Sequence, residues 1–94
     1  KKGEEVDLAK IGNVYEGIIS GVTSFGFFVE ITDFLIEGLV NMRDLDDDYY
    51  VFDKFLYRLT GTRKKRVFSL GDRVTVKIKA VNVSERKLDL ILAG

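Results

Sequence analysis

Apolar and polar residues alternate most clearly near the C-terminal end of the chain. Between residues 73 and 80, one face carries Val74, Val76, Ile78 and Ala80, and the other carries Arg73, Thr75, Lys77 and Lys79. A period of two residues is that of a half-buried β-strand. After a break at residues 82–85, leucine recurs at positions 88, 90 and 92. The two segments predict a hairpin at this end of the chain.

Three further strands are predicted in the first half of the chain. Residues 14–22 have apolar side chains on both alternating faces, as in a strand with both faces partly covered. Residues 25–31 follow closely and are rich in aromatic and β-branched side chains, so the two segments predict a second hairpin. A third short strand is predicted at 36–41, followed by a brief helical turn at 42–45.

The segment 46–69 contains strand-like pieces around residues 49–52, 57–60 and 66–68. A structureless loop of that length is unusual in a small domain, so we expect an inserted hairpin between the third and fourth strands. Five principal antiparallel strands with this long connection predict an all-β fold, a partly open five-stranded Greek-key barrel of the oligonucleotide/oligosaccharide-binding (OB) type. A β-sandwich is the alternative, and it needs about seven strands, two of them from the insert.

Length and composition narrow the class of protein. The chain has 94 residues, which suits one domain, and its 46% hydrophobic and 32% charged residues indicate a globular protein. The absence of cysteine and histidine excludes disulfides, the usual zinc sites and nucleophile–histidine catalysis. No apolar run approaches the ~20 residues of a membrane span, so we expect a monomeric cytoplasmic domain without a membrane partner. Residues 1–10 are interpreted as a tail or linker remnant, and residues 11–92 as the domain.

The net charge of zero conceals an uneven distribution. Residues 1–55 contain 5 basic and 12 acidic residues, whereas residues 56–87 contain 10 basic and 2 acidic ones. A basic half can meet phosphates even in a neutral chain, because salt screens charges beyond a Debye length of ~8 Å. It can equally be a solvated face that pairs internally. Net charge therefore neither supports nor excludes a nucleic-acid partner.

Four aspartates between residues 44 and 48 form a candidate cation site, since carboxylate oxygens bind calcium and magnesium. The spacing contradicts an EF-hand loop: with Asp44 in the first position, Tyr49 replaces the turn glycine and Phe55 replaces the bidentate glutamate. A two-metal nuclease site needs carboxylates that converge from separate strands, which one sequence does not reveal. We interpret the run as a solvated acidic turn and expect no metal site and no catalytic residue.

Three phenylalanines at the start of the second predicted strand suggest a binding surface. Strict alternation places Phe25 and Phe27 on one face and Phe28 on the other. A bend or bulge at Gly26 can instead turn Phe25 outward beside Phe28, which leaves Phe27 for the core. Two outward rings form a stacking platform for single-stranded bases, worth ~1–3 kcal/mol per base in any sequence. The alternative is that all three rings fill the barrel.

Basic side chains in the second half of the chain are candidates for contacts with phosphates. The run 63–66 is interpreted as a mobile loop tip. Lys77, Lys79 and Lys87 lie on predicted strands, which hold side chains on defined faces. Arg86 follows the turn between the last two strands, where a guanidinium can bind a phosphate through two hydrogen bonds or stack on a base.

Several motifs are spread over the predicted strands: GIISGVTSFGFFVE at 17–30, IEGLV at 36–40, LGDRV at 70–74 and VKI at 76–78. Together they resemble the S1 RNA-binding domain, an OB-fold family, and the resemblance extends from Ile11 to Leu92. The insert contains DDYYVFD at 47–53, LTG at 59–61 and FSLGD at 68–72. These motifs are similar to the S1 domain at the C-terminal end of the ribonuclease R family, which comprises processive 3′-to-5′ exoribonucleases.

The resemblance implies an RNA-binding face made of two aromatic residues, a histidine, an aspartate and an arginine. The aromatic positions are Phe25 and Phe28, and the arginine is Arg86. The histidine position holds Asn41, which still forms hydrogen bonds but offers less surface for stacking. The aspartate position holds Asn82, which lacks the charge that orients a neighbouring cation.

The expected function is sequence-tolerant binding of single-stranded RNA, with Lys77, Lys79 and Arg86 holding phosphates. By the resemblance, the domain guides RNA in a processive 3′-to-5′ exoribonuclease. Magnesium and hydrolysis then belong to a separate catalytic domain, which is an expected partner together with the ribosome, and no cofactor is expected in these residues. The alternative is a protein- or ribosome-docking module with little RNA affinity, in which Tyr49, Tyr50 and Phe52 pack against another surface.

Overall fold

The computed structural model describes residues 10–33, 35–85 and 87–93. Within them the strands are Val14–Thr23 (β1), Gly26–Ile31 (β2), Ile36–Asn41 (β3), Tyr50–Asp53 (β4), Arg58–Gly61 (β5), Val67–Ser69 (β6), Arg73–Asn82 (β7) and Lys87–Leu92 (β8). The predicted helical turn is a 3-10 turn at Met42–Asp44. No helix in the described part of the chain is long and apolar enough to cross a membrane. The predicted tail falls almost wholly on residues 1–9, outside the described residues.

Five strands form a closed barrel in the order β1-β2-β3-β8-β7, and β7 pairs again with β1. This confirms the predicted all-β, OB-type Greek-key fold, although the ring is closed rather than partly open. The expectation that all five strands are antiparallel is wrong for one pair, since β3 and β8 run parallel. The reason is geometric: an odd number of strands in a closed ring cannot alternate in direction at every neighbour.

The barrel interior is filled by apolar side chains that alternate along the strands. Nine of them are at most 1% exposed: Ile19, Phe27, Val29, Ile31, Val40, Val76, Ile78, Leu88 and Leu90. Burying one such side chain completely contributes about 1.5–3 kcal/mol relative to leaving it in water. The period of two seen near the C-terminal end therefore marks the core face of β7 and β8.

Two irregularities interrupt the strand pairing and change which residues face inward. The β1–β2 register shifts between Ile19 and Gly21, so Ile19 and Val22 are both buried although their parities differ. The backbone of Ile19 is bonded to the β6–β7 turn, where its N–H donates to Asp72 O at 2.9 Å and its carbonyl accepts from Gly71 N at 2.9 Å. A second shift lies between Ile78 and Ala80. The first shift explains the burial of Val22, whereas Val14 and Ile18, which have the same parity, lie on the exposed face of β1.

The insert forms a three-stranded antiparallel sheet, β4-β5-β6, rather than the expected hairpin. The third strand forms because Phe68 is buried against the barrel, where its ring stacks on Phe27 with 4.8 Å between centroids and 21° between planes. Tyr50 packs on the same ring at 5.5 Å, and Leu59 is fully buried. Barrel and insert thus share one hydrophobic core.

Strand β2 approaches β3 very closely at its first residue, Gly26. A Cβ atom there would overlap the carbonyl oxygen of Val40, and Gly26 has a φ of +153°, which side-chain-bearing residues rarely adopt. Glycine is therefore required where β2 leaves the preceding turn and pairs with Asn41.

Replacing Gly26 with alanine should lower the free energy of unfolding by about 2 kcal/mol or more, because the new Cβ meets the Val40 carbonyl at an unfavourable φ. Gly71→Ala is the matched control, since Gly71 has a φ of +85° and nothing within 4 Å of its Cβ position. Gly71→Ala should lower the free energy of unfolding by only about 1 kcal/mol, which is the cost of a positive φ for a residue with a side chain. Urea denaturation followed by circular dichroism measures both losses. Equal losses would contradict the role of the close approach.

Candidate nucleic-acid interface

Phe25 and Phe28 form an aromatic pair on the outside of the barrel. The Phe25 ring is 52% exposed in the β1–β2 turn, and Phe28 lies half-buried on β2. Their centroids are 6.5 Å apart with the rings nearly perpendicular, at 88°. Phe27, between them in sequence, is buried. The predicted orientation of the three rings is therefore confirmed, and contact of the outer pair with RNA stays a prediction.

The turn that presents Phe25 is held by hydrogen bonds on both sides. Thr23 Oγ1 accepts from Phe25 N at 3.2 Å and donates to Gly26 O at 3.0 Å. The carbonyl of Phe25 accepts from Met42 N at 2.8 Å. Because its backbone is fixed from β1 and from the 3-10 turn, the Phe25 ring is preorganised for contact with a ligand.

A groove of about 760 Å³ lies beside the aromatic pair. We call it the first groove, and it is lined by Phe25, Phe28, Glu30, Leu35, Ile36, Glu37, Gly38, Leu39, Glu85, Lys87, Leu88 and Asp89. Its lining contains four carboxylates and one ammonium, and Lys87 is paired with Glu85 at 3.5 Å. The first groove therefore offers apolar surface for bases but little attraction for phosphates.

The structure does not bring Lys77 and Lys79 to the first groove. Lys79 Nζ lies 3.2 Å from Asp44 Oδ2 in an ion pair with the 3-10 turn. Lys77 is exposed on β7, where it pairs with Val14 on one side and Ile91 on the other. The described basic side chain that does line this groove is Lys87. Lys87 directly follows Arg86 in the sequence. The sequence alone does not show which basic side chains of the β-strands face the aromatic pair.

Asn41 lies at the end of β3 and is half-buried. Its Oδ1 accepts a hydrogen bond from Arg43 N at 3.0 Å and so caps the 3-10 turn. It does not line the first groove but a neighbouring one of about 440 Å³, which we call the second groove. The second groove is lined by Ser24, Phe25, Asn41, Met42, Arg43, Leu45, Asp48, Tyr49 and Tyr50.

Asn82 is exposed at the end of β7 and organises the β7–β8 turn. Its Oδ1 accepts from Ser84 Oγ at 3.0 Å and from Glu85 N at 3.1 Å. An aspartate oxygen can accept the same two bonds, so the amide keeps the turn-forming function and lacks only the charge. Arg86 itself lies outside the described residues.

The family model of the S1 RNA-binding domain matches residues 8–92 of this chain. The chain belongs to the S1 RNA-binding domain family. This S1 domain is 51% identical over 85 residues to ribonuclease R of Escherichia coli (strain K12), a match that covers 90% of the chain and 10% of that protein. It is 47% identical over 83 residues to ribonuclease R of Aquifex aeolicus (strain VF5), covering 88% of the chain and 12% of that protein. The chain spans about a tenth of the length of these curated relatives.

Solved structures show the same relationship. The S1 domain superposes with a TM-score of 0.84 and 30% identity on Mycoplasma genitalium RNase R in complex with ribose-methylated single-stranded RNA, covering 95% of this chain and 14% of that one. It matches the solution structure of GSP13 from Bacillus subtilis with a TM-score of 0.63 and 29% identity, covering 88% and 55%. The predicted resemblance to ribonuclease R is therefore confirmed.

In this S1 domain the acidic run is not simply a solvated turn, because Asp48 is covered. The Asp48 side chain is 0% exposed, and its carboxylate accepts from the backbone N–H groups of Lys64 at 2.7 Å, Arg63 at 3.0 Å and Tyr49 at 2.6 Å. These bonds, that from Lys64 first, hold the pKa of Asp48 below its usual value. Asp48 therefore fixes the 63–66 turn, which the sequence suggested was mobile.

Asp47 has a different partner in the same run. The hydroxyl of Tyr50 donates to its two carboxylate oxygens at 3.1 and 3.2 Å. Burial, together with this hydrogen bond, raises the pKa of Tyr50 to about 12, so the hydroxyl remains a donor at neutral pH. Among the described residues no group of three or more acidic side chains is arranged to hold a metal ion.

The lowered pKa of Asp48 makes stability depend on pH. An aspartate in an unfolded chain titrates near pH ~4, so the stabilisation is present above that pH and is lost as the pH falls through the lower folded pKa. Asp48→Ala should lower the urea midpoint at pH 7, and the difference from the unaltered domain should shrink at pH ~2.5. Asp46→Ala, at an exposed position of the same run, should change little at either pH. A difference for Asp48→Ala that is constant with pH would refute this assignment.

Proposed function

We propose that this S1 domain binds single-stranded RNA with little sequence preference, through bases stacked on Phe25 and Phe28. The observation that carries the proposal is the exposed aromatic pair beside a groove of about 760 Å³. Every base has a π-face, so stacking contributes ~1–3 kcal/mol per base whatever the sequence. The structurally similar ribonuclease R of Mycoplasma genitalium contains single-stranded RNA, which supports the same ligand here.

The proposed role of the domain is to guide RNA within a longer processive 3′-to-5′ exoribonuclease. This role is supported by the 51% identity between this chain and a segment that makes up 10% of Escherichia coli ribonuclease R. Under the proposal, a catalytic domain elsewhere in the longer protein supplies magnesium-dependent hydrolysis, and the present residues supply only binding. The isolated domain should then leave labelled RNA at full length in the presence of magnesium.

In the proposed complex, basic residues of β7 and β8 supply some of the phosphate contacts. Lys87 lines the first groove, and Arg86 is its neighbour in sequence. Lys77 is free of ion pairs among the described residues, whereas Lys79 must exchange Asp44 for a phosphate. Because the net charge is zero, the domain should bind weakly, and because phosphates are held by cations, its affinity should fall as salt rises.

A docking function is the second candidate, and exposed apolar residues of the insert favour it. Phe55 is 84% exposed at the β4–β5 turn, and Leu56 and Tyr57 beside it are also exposed. Of the aromatic residues expected to dock, Tyr50 is buried in the core and so cannot contact a partner. Crosslinking at Phe55 to a catalytic domain, or co-sedimentation with ribosomes, combined with no RNA binding would favour this function over the first.

Substituting Phe25 or Phe28 with alanine should weaken binding to a fluorescein-labelled oligoadenylate by about fivefold to 150-fold, because each change removes one stacked base. Fluorescence anisotropy titrations measure the affinity, and amide NMR spectra show whether each variant is folded. Phe55→Ala removes an equally large exposed ring from the insert and should leave the affinity unchanged. Normal affinity of a folded Phe28→Ala variant would rule out the stacking role.

A further inference from the structure

We propose that the second groove is an additional RNA-binding subsite, in which Tyr49 stacks a base and the β5–β6 turn holds phosphates. We call Arg63, Lys64 and Lys65 the basic tip. The inference rests on the proposed function and extends it, since it assigns part of the insert to RNA. The strand would run from the first groove past Phe25 toward Tyr49 and the basic tip.

The two grooves adjoin at Phe25, which lines both of them. A base stacked on this ring therefore has the second groove directly beside it. The volume of about 440 Å³ lies within the ~300–1,000 Å³ typical of ligand sites. Asn41 also lines the second groove, and its Oδ1 is engaged in the 3-10 cap, which leaves the amide NH2 group as a donor for a base or phosphate.

Tyr49 provides a second aromatic surface in the lining of the second groove. Its side chain is 75% exposed, yet its backbone is held on both sides. Tyr49 N donates to Asp48 Oδ1 at 2.6 Å, and Tyr49 O accepts from Thr62 N at 2.9 Å. A large exposed ring on a fixed backbone costs little entropy when it binds a ligand.

The basic tip lies next to Tyr49 because Asp48 ties it there. Asp48 accepts from the backbone N–H groups of Arg63 and Lys64, so the attachment is made mainly through the backbone of the basic tip. The Arg63 side chain is 80% exposed, and its Nε is 3.9 Å from Asp48 Oδ1. Arg66, the next cation, instead lies over the Phe68 ring at 4.8 Å. The basic tip thus presents cations to solvent on a turn that is already ordered.

Charge complementarity favours the second groove for phosphates. The first groove contains four carboxylates and one ammonium that is already paired. The single carboxylate lining the second groove is Asp48, which is covered by donors. Arg43 also lines the second groove and forms no ion pair with a described residue. The backbone of a polyanion is therefore attracted toward Arg43 and the basic tip, while its bases meet the aromatic pair.

The test compares labelled oligoadenylates of four and twelve nucleotides by fluorescence anisotropy at two salt concentrations. The double variant Arg63→Gln/Lys64→Gln should bind the 12-mer about tenfold more weakly, and its salt slope should fall by about 1.4, since each phosphate on a single strand contributes ~0.7. Tyr49→Ala should weaken the 12-mer about fivefold. Both should change 4-mer binding by less than about twofold, because the 4-mer is held at Phe25 and Phe28.

Matched controls separate a local contact from general charge or folding effects. Lys10→Gln/Lys54→Gln removes the same charge from two exposed positions that line neither groove, and Phe55→Ala removes an exposed ring from the other end of the insert. Both should leave 12-mer affinity within about twofold of the unaltered domain. The basic-tip variant should fold normally, since Asp48 bonds to its backbone.

Each outcome decides the proposal. If Phe28→Ala weakens both oligonucleotides but the Tyr49 and basic-tip variants bind the 12-mer normally, the second groove is not an RNA subsite, while the proposed function stands. If the control pair loses as much affinity as the basic-tip pair, the effect is one of net charge and the subsite is refuted. If the unaltered domain binds neither oligonucleotide, both proposals fail together.

Discussion

The structure depends on the close contact between Gly26 and the carbonyl group of Val40. In a regular strand, residues two apart share a face, so Phe25 and Phe27 would point the same way. Because β2 begins at a glycine with a positive φ, Phe27 enters the core while Phe25 turns outward beside Phe28. One backbone contact therefore determines both the packing of the barrel and the presence of an aromatic surface on it.

The buried ring of Phe27 carries this constraint into the insert. Phe27 stacks on Phe68, and Tyr50 also packs against the Phe68 ring. Tyr50 directly follows Asp48 and Tyr49, so the wall of the second groove is attached to the core of the barrel by its neighbours in sequence. The two grooves keep their relative position because they share Phe25 and are built on one continuous core.

Local pattern was sufficient to predict the barrel strands, because they depend on residues close in sequence, whereas for the aromatic pair it left two orientations open and the family resemblance favoured the outward one. The alternation in β7, and the glycine that separates Phe25 from Phe27, can be seen within a few positions. The register shifts in β1 and β7 were not predictable, since a bulge is set by what the neighbouring strand offers. The ion pair of Lys79 with Asp44 joins residues 35 apart in sequence, and so altered which cations are available.

The other features that the sequence did not predict also depend on contacts between segments that are distant in sequence. The sequence alone indicates that the run of aspartates is an exposed acidic turn. In the fold, the β4–β5–β6 sheet brings the backbone N–H groups of Arg63 and Lys64 to Asp48. The third strand of the insert depends on Phe68 reaching the barrel core. Such contacts between distant segments carry no local periodicity, which is why the second groove was not predicted.

The parallel pairing of β3 with β8 has a consequence for synthesis of the domain. Val40 and Leu90 pair although they are about half the chain length apart, and the ring needs this pairing as well as that of β1 with β7 to close. During translation, β1 to β3 leave the ribosome long before their last neighbour exists, with one edge of β3 unpaired. The barrel therefore folds after β8 has emerged. A chain that stops before Leu88 does not form a smaller stable domain, and the unpaired edge of β3 can pair with other chains.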